Sequence, residues 1–517
     1  MQKEDLKETP KDAIKRAIAN LLRLPRHLKS SVMRQGAKDV DKLKSQLVLS
    51  NIFLHIHSIK THRFSLRWNY TFGLGVMCIG LFTILALSGF LLMIYYRPDT
   101  AQAYYSIKDL IYVIPSGRLV RNIHRWAAHL MVIACFLHMA RIFYTSSYKR
   151  GREFNWNIGL VLFILTLGLG FTGYLLPWDQ LAYWATTIGV NVAASLTELT
   201  DALNINGLFD IVTKLKHLLL GADQIGNDTL VRFYFLHCIL FPSLMTLFIA
   251  IHIWRIRKNG GLSRPDSIDR KLLKGTPENN KVNNSTKPGL FQHTDDSSYA
   301  KGQDAENLVH SIPHAFLKEF IAVIFILAIT VALSCLFDAP LKEPANPVFP
   351  ENPAKAPWYF VGIQELVSYS AFMGGIGIPI IGLFGLALIP YIDRDKGAIG
   401  IWFEDKTGIR VTKISACYAF ACCAAMLAFT IVFGWLRAWF PDIPQLLIIL
   451  INPGTILVVM FAAWSLFVLQ KYDSIRMGAM ALFTCFFIAV IILTYFALVH
   501  RGPNWDFYWW PSLWPKH

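Results

Sequence analysis

Apolar residues gather in runs of about twenty along most of the chain, and shorter polar or proline-rich segments separate them. An α-helix rises 1.5 Å per residue, so about 20 apolar residues cross a hydrocarbon core of about 30 Å. The pattern predicts nine spans, or eight if the short run at 454–470 does not cross. The predicted fold class is all-α, a polytopic membrane helical bundle with a four-helix module and a second module of four to five spans. The runs lie near 72–95, 122–144, 158–176, 231–254, 314–336, 371–391, 413–436, 454–470 and 476–499.

Polar segments divide these runs into modules. Residues 1–68 are basic and partly amphipathic, which is typical of an extension on the membrane surface. Residues 258–312 are polar and poor in apolar side chains, which is typical of a solvated linker. We therefore predict a four-helix module at 69–257, a second module at 313–436, and additional spans with a tail at 437–517. The N-terminal segment lacks an apolar core followed by a small-residue cleavage site, so we do not interpret it as a signal peptide.

The charge distribution predicts how the chain sits in its membrane. The formal net charge is +16, and Lys and Arg cluster in the first 70 residues and in the connections at 146–155 and 255–264. The positive-inside rule then places the N-terminus and the linker on the negative, cytoplasmic side, and the segments PWDQ (177–180) and APWY (356–359) on the positive side. Anionic lipid of the bilayer accounts for the basic balance, so we expect no nucleic-acid partner.

Two of the runs carry paired histidines. His124 and His138 are fourteen residues apart, and His237 and His252 are fifteen apart. At about 100° per residue, fourteen steps return to within roughly 40° of the start and fifteen overshoot by roughly 60°. Each pair therefore lies near one helix face, roughly 21–22 Å apart along the axis. Two such helices, arranged antiparallel, could clamp two metal centres stacked across the membrane.

The predicted orientation also fixes how the histidines pair across the helices. His124 and His237 begin their spans at the positive side, and His138 and His252 end theirs at the negative side. This pairs His124 with His237 and His138 with His252. Two neutral imidazoles on opposite faces suit six-coordinate haem iron. His129 lies about 140° from His124 and about 180° from His138, so we expect it to face elsewhere and to be structural.

Glycines and arginines near the histidines give a second signal. Four glycines repeat the histidine spacing, which would leave room for a bulky macrocycle between helices, although small-residue packing would also explain them. They are Gly75 and Gly89 in the first span and Gly159 and Gly173 in the third. Arg121, Arg125 and Arg141 lie near the histidines, where cations could neutralise haem propionates or reach the lipid surface.

Three segments carry a family resemblance: HRWAAHLMVIACFLHMAR, TGYLLPWDQLAYWATT and RFYFLHCILFPSLMTLFIAIHIWRIRK. They resemble the cytochrome b subunit of Rieske/cytochrome b quinol-oxidising complexes. The fifteen-residue spacing, HRW and PWDQ are most similar to the chloroplast-type branch, in which the two modules are separate polypeptides. Here the modules are fused through 258–312. The resemblance covers roughly residues 65–500, and the four-histidine spacing is a highly specific motif.

The resemblance implies an oxidoreductase subunit that is not active alone. Quinol would be oxidised at a positive-side site, with electrons passing through two non-covalent b-type haems to a quinone site at the negative side and protons released across the membrane. His124 and His237 would hold the low-potential haem, and His138 and His252 the high-potential one. The implied partners are a Rieske iron–sulfur protein, a c-type cytochrome subunit and a second copy of the complex. The implied location is an energy-transducing membrane such as the bacterial cytoplasmic membrane.

The implied quinol site shows one departure from the family pattern. Ala356, Pro357, Trp358 and Tyr359 match the family's Pro-Glu-Trp-Tyr segment, and Tyr183 would line the same pocket. The family's proton-accepting glutamate falls on Pro357, which cannot take a proton. Glu365 is the nearest carboxylate candidate, although a capping or surface role is equally compatible with its position.

Three further positions qualify the resemblance. The cysteine that tethers an additional c-type haem in the chloroplast-type branch aligns with Gly73, and Cys78 is five residues away, so we expect no covalent c-type haem on this chain. Arg257 stands where the family has a basic residue at the negative-side quinone pocket, and the positive-inside rule explains it equally well. We expect the spans beyond the second module to pack against partner subunits.

Two alternatives remain open. One is a diheme membrane anchor of a hydrogenase-like or formate dehydrogenase-like enzyme, which PWDQ, APWY and the nine-span layout disfavour. The other is a transporter or scaffold whose histidines relay protons or only pack. The haem content of the purified chain discriminates all three.

Overall fold

A computed structural model describes residues 60–149, 151–202, 211–222, 224–259, 261–265, 308–395 and 399–515. Most of the predicted extension at 1–68 and of the predicted linker at 258–312 lies outside these ranges. Within them, nine helices are long and apolar enough to cross a membrane, which confirms the predicted polytopic all-α fold. The chain is an integral membrane protein.

The described residues form nine helices of spanning length and one shorter helix that lies beside the site. They are α1 (Leu74–Tyr95), α2 (Gly117–Tyr144), α3 (Glu153–Leu175), α4 (Asn227–Lys258), α5 (Ser311–Leu336), α6 (Trp358–Val367), α7 (Met373–Ile392), α8 (Lys406–Phe433), α9 (Pro453–Tyr472) and α10 (Ile475–Val499). All except α6 have spanning length.

Shorter elements connect these helices. The short helices are Trp68–Thr71, Ala103–Tyr112, Gln180–Ala194, Leu196–Ala202, Ile211–Leu220, Leu436–Trp439 and Gln445–Leu450, and the 3₁₀ turns are Arg63–Leu66, Pro503–Trp505 and Pro511–Leu513. Strands β1 (Lys60–His62) and β2 (Leu308–His310) pair antiparallel, with Thr61 opposite Val309.

The first four helices form the bundle that holds the histidines. α1 packs against α2, and α3 packs against α4. The N-terminal parts of α2 and α4 come together, since the rings of His124 and His237 are in contact. The two histidine helices are therefore parallel, and the expectation that they run antiparallel is wrong. The second and fourth spans of a polytopic chain cross the membrane in the same direction, which is why these two helices are parallel.

A π turn interrupts α4 at Leu236–Leu240 and is followed by Pro242. Proline has no N–H and cannot continue the α-helical hydrogen-bond ladder. A π turn closes i→i+5 hydrogen bonds and so holds about one residue more than an α turn. The fifteen residues from His237 to His252 therefore span the rotation of about fourteen α-helical residues. This replaces the roughly 60° overshoot of an uninterrupted helix by an offset of roughly 40°, the same as that between His124 and His138.

The PWDQ segment and the proline-rich connection between α5 and α6 are joined. The Asp179 carboxylate caps the helix Gln180–Ala194 and also accepts a hydrogen bond from the backbone N–H of Lys342 at 3.0 Å. The backbone N–H of Gln180 donates to the carbonyl of Glu343 at 2.9 Å. Both segments therefore lie at one end of the bundle, which is also the end of His124 and His237.

The helices beyond the second module are anchored to the first module by a buried ionic cluster. Asp393 lies between Lys149, at 2.6 Å, and Arg476, at 3.7 Å, and Tyr148 donates its hydroxyl to the same carboxylate. The side chains of Asp393 and Arg476 are fully buried. α10 thus packs within this chain against the first module, whereas packing against partner subunits stays a prediction.

Candidate haem-binding bundle and adjoining cavity

His124 of α2 and His237 of α4 face one another across the bundle. Their ring centres are 6.1 Å apart, with 73° between the ring planes. A histidine nitrogen binds a metal at about 2.0–2.1 Å, and the ring centre lies about 1 Å further away, so two imidazoles on opposite sides of one ion have centres about 6 Å apart. The observed separation is one at which His124 and His237 would hold a single metal ion between them.

Hydrogen bonds at Nδ1 favour, in both rings, the tautomer that leaves the lone pair of Nε2 available to a metal. His237 Nδ1 lies 3.0 Å from the carbonyl of Leu169, which can only accept, so Nδ1 carries the proton. Ser88 donates its hydroxyl to the Ile84 carbonyl at 2.7 Å and therefore accepts from His124 Nδ1 at 2.9 Å. In both rings the lone pair stays on Nε2, as a metal ligand requires.

His138 and His252 meet at the opposite end of α2 and α4. Both line a second cavity of about 80 Å³. His124 and His237 line a larger cavity of about 270 Å³. The two pairs therefore occupy separate cavities at the two ends of the helices.

The four predicted glycines each lie against one of the four histidines. A Cβ would lie 3.3 Å from His124 Cε1 if added at Gly89, 3.2 Å from His138 Cε1 if added at Gly75, and 3.6 Å from His252 Cε1 if added at Gly159. At Gly173 the added Cβ would overlap the ring of His237. A side chain at any of these positions would crowd an imidazole, so the glycines leave room for the four histidine rings, whereas room for a macrocycle stays a prediction.

The predicted arginines take different positions. Arg125 lines the larger cavity and stacks over the ring of Tyr174, with 5.7 Å from the guanidinium carbon to the ring centre. Arg121 also lines it, but donates to the backbone carbonyls of Ala339 and Pro340 at 2.6 and 2.7 Å. Its guanidinium thus holds the proline-rich connection in place.

Arg141 and Arg257 lie at the other end of the bundle. Arg141 lines the smaller cavity, is 4% exposed, and donates from Nε to the Tyr70 carbonyl at 3.1 Å. Its Nη2 is buried and has no hydrogen-bond partner among the described residues, so it fits an anionic group such as a propionate in this cavity. Arg257 lies in the last turn of α4 and does not line either cavity.

The APWY segment contributes one residue to the wall of the larger cavity. Pro357 is the N-cap of α6, and Tyr359 reaches the cavity. A Cβ at Gly170 would lie 2.7 Å from the Tyr359 hydroxyl, so this glycine makes room for the phenol. Burial raises the pKa of Tyr359, which keeps the phenol neutral. The sequence pattern does not single out Gly170, because this glycine does not repeat the fourteen-residue spacing of the other glycines.

Glu365 and Tyr183 lie away from the cavity. The Glu365 side chain is fully buried and forms a two-point ion pair with Arg501, at 2.6 and 2.9 Å. It also accepts from Tyr369 at 3.2 Å and from Trp505 at 3.0 Å. Tyr183 packs edge-to-face against Trp178, with ring centres 5.8 Å apart. Neither residue is on the wall of the larger cavity.

His129 is a residue that the helical period does not assign to the site. The period places it away from the ligand face, yet in the structure it lines the larger cavity. Trp358 donates its indole N–H to His129 Nδ1 at 3.0 Å. The ring of His129 also lies beside Tyr359, with centres 6.4 Å apart. Since Trp358 is 229 residues away in sequence, no local pattern reveals this pair.

Comparisons with known proteins agree with the geometry. Residues 59–260 match the family model described as cytochrome b/b6/petB. A cytochrome bc complex cytochrome b subunit from Chlorobaculum thiosulfatiphilum is 32% identical over 333 residues, which cover 63% of this chain and 66% of that protein. Cytochrome b6 from Prochlorococcus marinus (strain NATL1A) is 36% identical over 192 residues, which cover 37% of this chain and 83% of that protein.

A solved structure shares the fold. The structure titled hyperthermophilic respiratory Complex III superposes with a TM-score of 0.54 at 22% identity, covering 82% of this chain and 91% of that chain. At this identity the likeness concerns the fold alone. The relatives at 36% identity, covered over 83% of their length, carry the assignment: the chain belongs to the cytochrome b/b6 family.

Proposed function

We propose that this chain is the diheme cytochrome b subunit of a quinol:electron-acceptor oxidoreductase. The observation that carries the proposal is the contact of His124 with His237 at 6.1 Å, with a glycine of the neighbouring helix against each ring. His124 and His237 would hold one b-type haem, and His138 and His252 the other. Haem iron with two imidazole ligands exchanges single electrons and leaves no coordination position for a substrate.

The larger cavity would hold the first haem between His124 and His237, and the quinol ring in the part of the cavity lined by His129 and Tyr359. Tyr359 and the apolar wall would position the ring. The ties of Arg121 to the proline-rich connection would keep the wall closed against the aqueous phase. Proton acceptance cannot fall to Pro357, and Glu365 is already saturated by four hydrogen bonds. The negative-side quinone site would lie near the smaller cavity, at the end of α2 and α4 that carries His138 and His252.

The chain would require partners to complete turnover. We propose a Rieske iron–sulfur protein and a c-type cytochrome subunit as electron acceptors, and a dimeric complex in an energy-transducing membrane. The N-terminus would lie on the negative side, as the basic connections predict. The modules would then be those at 69–257 and 313–436, fused through 258–312.

The deciding experiment is a reduced-minus-oxidised optical spectrum of the purified chain with a haem count. We expect about two b-type haems per chain. His138→Ala should remove one haem and leave the other spectrally present, because the two pairs occupy separate cavities. His217→Ala, which changes an exposed histidine outside both cavities, is the matched control and should retain both haems. A chain without b-type haem, or an unchanged haem content in His138→Ala, contradicts the proposal.

A further inference from the structure

We infer that His129 binds quinol in the larger cavity by donating its Nε2–H to an oxygen of the ring, and that Trp358 holds His129 in the required tautomer. The inference rests on the proposed function of this cavity. It assigns a chemical role to a residue that the sequence pattern sets aside as structural. It also gives the tryptophan of the APWY segment a role of its own, as a positioning residue.

The hydrogen bond between Trp358 and His129 determines the tautomer. An indole N–H can only donate, so His129 Nδ1, 3.0 Å away, must be the acceptor. A neutral imidazole that accepts at Nδ1 carries its proton on Nε2. His129 therefore offers a donor at Nε2, whereas a ring without this partner would populate both tautomers.

The described groups around His129 favour its neutral form, because they include a nearby arginine and no carboxylate. Neither aspartate nor glutamate occurs among the described residues that line this cavity. Arg125 is the charged group nearest to the ring on its own helix, and it stacks over Tyr174 of α3. Tyr359 of α6 lies beside the imidazole. Arg121 is committed to two backbone carbonyls.

A hydroxyl or carbonyl oxygen is the ligand chemistry that an imidazole N–H in an apolar cavity recognises. An oxygen buried there without a partner loses its hydrogen bonds to water, so binding favours the ring orientation that brings an oxygen to His129. Loss of one neutral hydrogen bond of this kind weakens binding about tenfold. Apolar walls contributed by Phe82, Leu85 and Met131 would hold the remainder of the ring.

The test measures binding of two probes, a short-chain 1,4-naphthoquinone and a short-chain 1,4-benzoquinone, to the full chain in its complex. We expect His129→Leu to raise the Kd of the probe that the wild-type protein binds about tenfold. His129→Gln retains an N–H donor and should recover most of the affinity. Trp358→Phe removes the indole N–H while keeping an aromatic ring, and should give a Kd between those of the wild type and His129→Leu.

An infrared measurement separates a direct contact from a general effect on packing. With a probe carrying ¹³C at one carbonyl, a hydrogen bond lowers the frequency of that carbonyl. We expect the lowered band in the wild type and in His129→Gln, and its loss in His129→Leu. Trp402→Phe is the control, because it also removes one indole hydrogen bond, to the Asn69 carbonyl, and Trp402 does not line the cavity. It should leave both Kd and band unchanged.

The possible outcomes are distinguishable. If the wild-type complex binds neither probe, the proposed function of the cavity is overturned together with the inference. If the wild type binds and His129→Leu keeps the same Kd and the same band, the inference alone is overturned. The haem spectrum verifies that each variant is folded. Should His129→Leu fail to assemble, His129→Ala is the second variant without a donor, and an unchanged Kd and an unchanged band in His129→Ala overturn the inference. An unchanged Kd and band in Trp358→Phe overturn the role given to Trp358.

Discussion

A buried ion pair between Glu365 and Arg501 joins α6 to the C-terminal segment. The carboxylate is fully buried and the arginine side chain is 10% exposed. Arg501→Met removes two of the four hydrogen bonds to the carboxylate and leaves it with the neutral donors Tyr369 and Trp505. Removing one partner of a buried pair costs about 3–5 kcal/mol, because the other charge stays buried without compensation.

The magnitude is checked by equilibrium unfolding of the purified protein, followed by circular dichroism. The matched control is Arg118→Met, which breaks the pair with Asp338. That pair is long, at 3.9 Å, and its side chains are 54% and 66% exposed. An exposed pair contributes at most about 1 kcal/mol. We therefore expect the free energy of unfolding to fall several times further in Arg501→Met than in the control.

The double variant Glu365→Leu/Arg501→Met tests the cause. Replacing both charges by apolar groups removes the uncompensated carboxylate, so the double variant should be more stable than Arg501→Met alone. Equal losses in Arg501→Met and Arg118→Met would refute the reasoning. So would a double variant whose loss equals the sum of the two single losses.

Three further predictions concern the haem-binding bundle. Gly173→Leu should abolish haem at the first histidine pair, since a Cβ there overlaps an imidazole, whereas Gly385→Leu, with nothing within 4 Å of its Cβ, should keep both haems in the optical spectrum. Ser88→Ala removes the acceptor for His124 Nδ1 and should lower haem affinity at that pair by about 10–100-fold in a haem titration, while equal affinities would contradict the tautomer assignment. Arg141→Leu should weaken haem retention only at the second pair, and equal retention at both pairs would show that its free N–H has no anionic partner.

The helical period predicts from sequence alone which histidines share a face. This prediction depends only on local features of the sequence, namely an apolar run, the spacing of the histidines and glycines at the same spacing. The structure brings His124 and His237 together and sets a glycine against each ring, whereas haem binding by these residues stays a prediction. The nine spans follow from the same kind of information, since the length of a run and its apolarity decide whether it can cross a bilayer.

Contacts between distant segments could not be predicted. Glu365 and Arg501 are 136 residues apart, and the pairing depends on how α10 returns to α6. The Trp358–His129 bond likewise depends on the placement of α6 against α2. The π turn in α4 is invisible to a reading that assumes one uniform period, although Pro242 marks the place where the ladder must change.

The extra residue in the π turn of α4 shows how this helix can accept an insertion or a deletion during evolution. An insertion in an uninterrupted helix rotates everything beyond it by about 100°. Here the additional residue is confined to one turn, so His252 keeps its face and its partner cavity. Gain or loss of that residue can therefore be inherited without moving either histidine pair, and lineages of such proteins can differ in ligand spacing while keeping the same bundle.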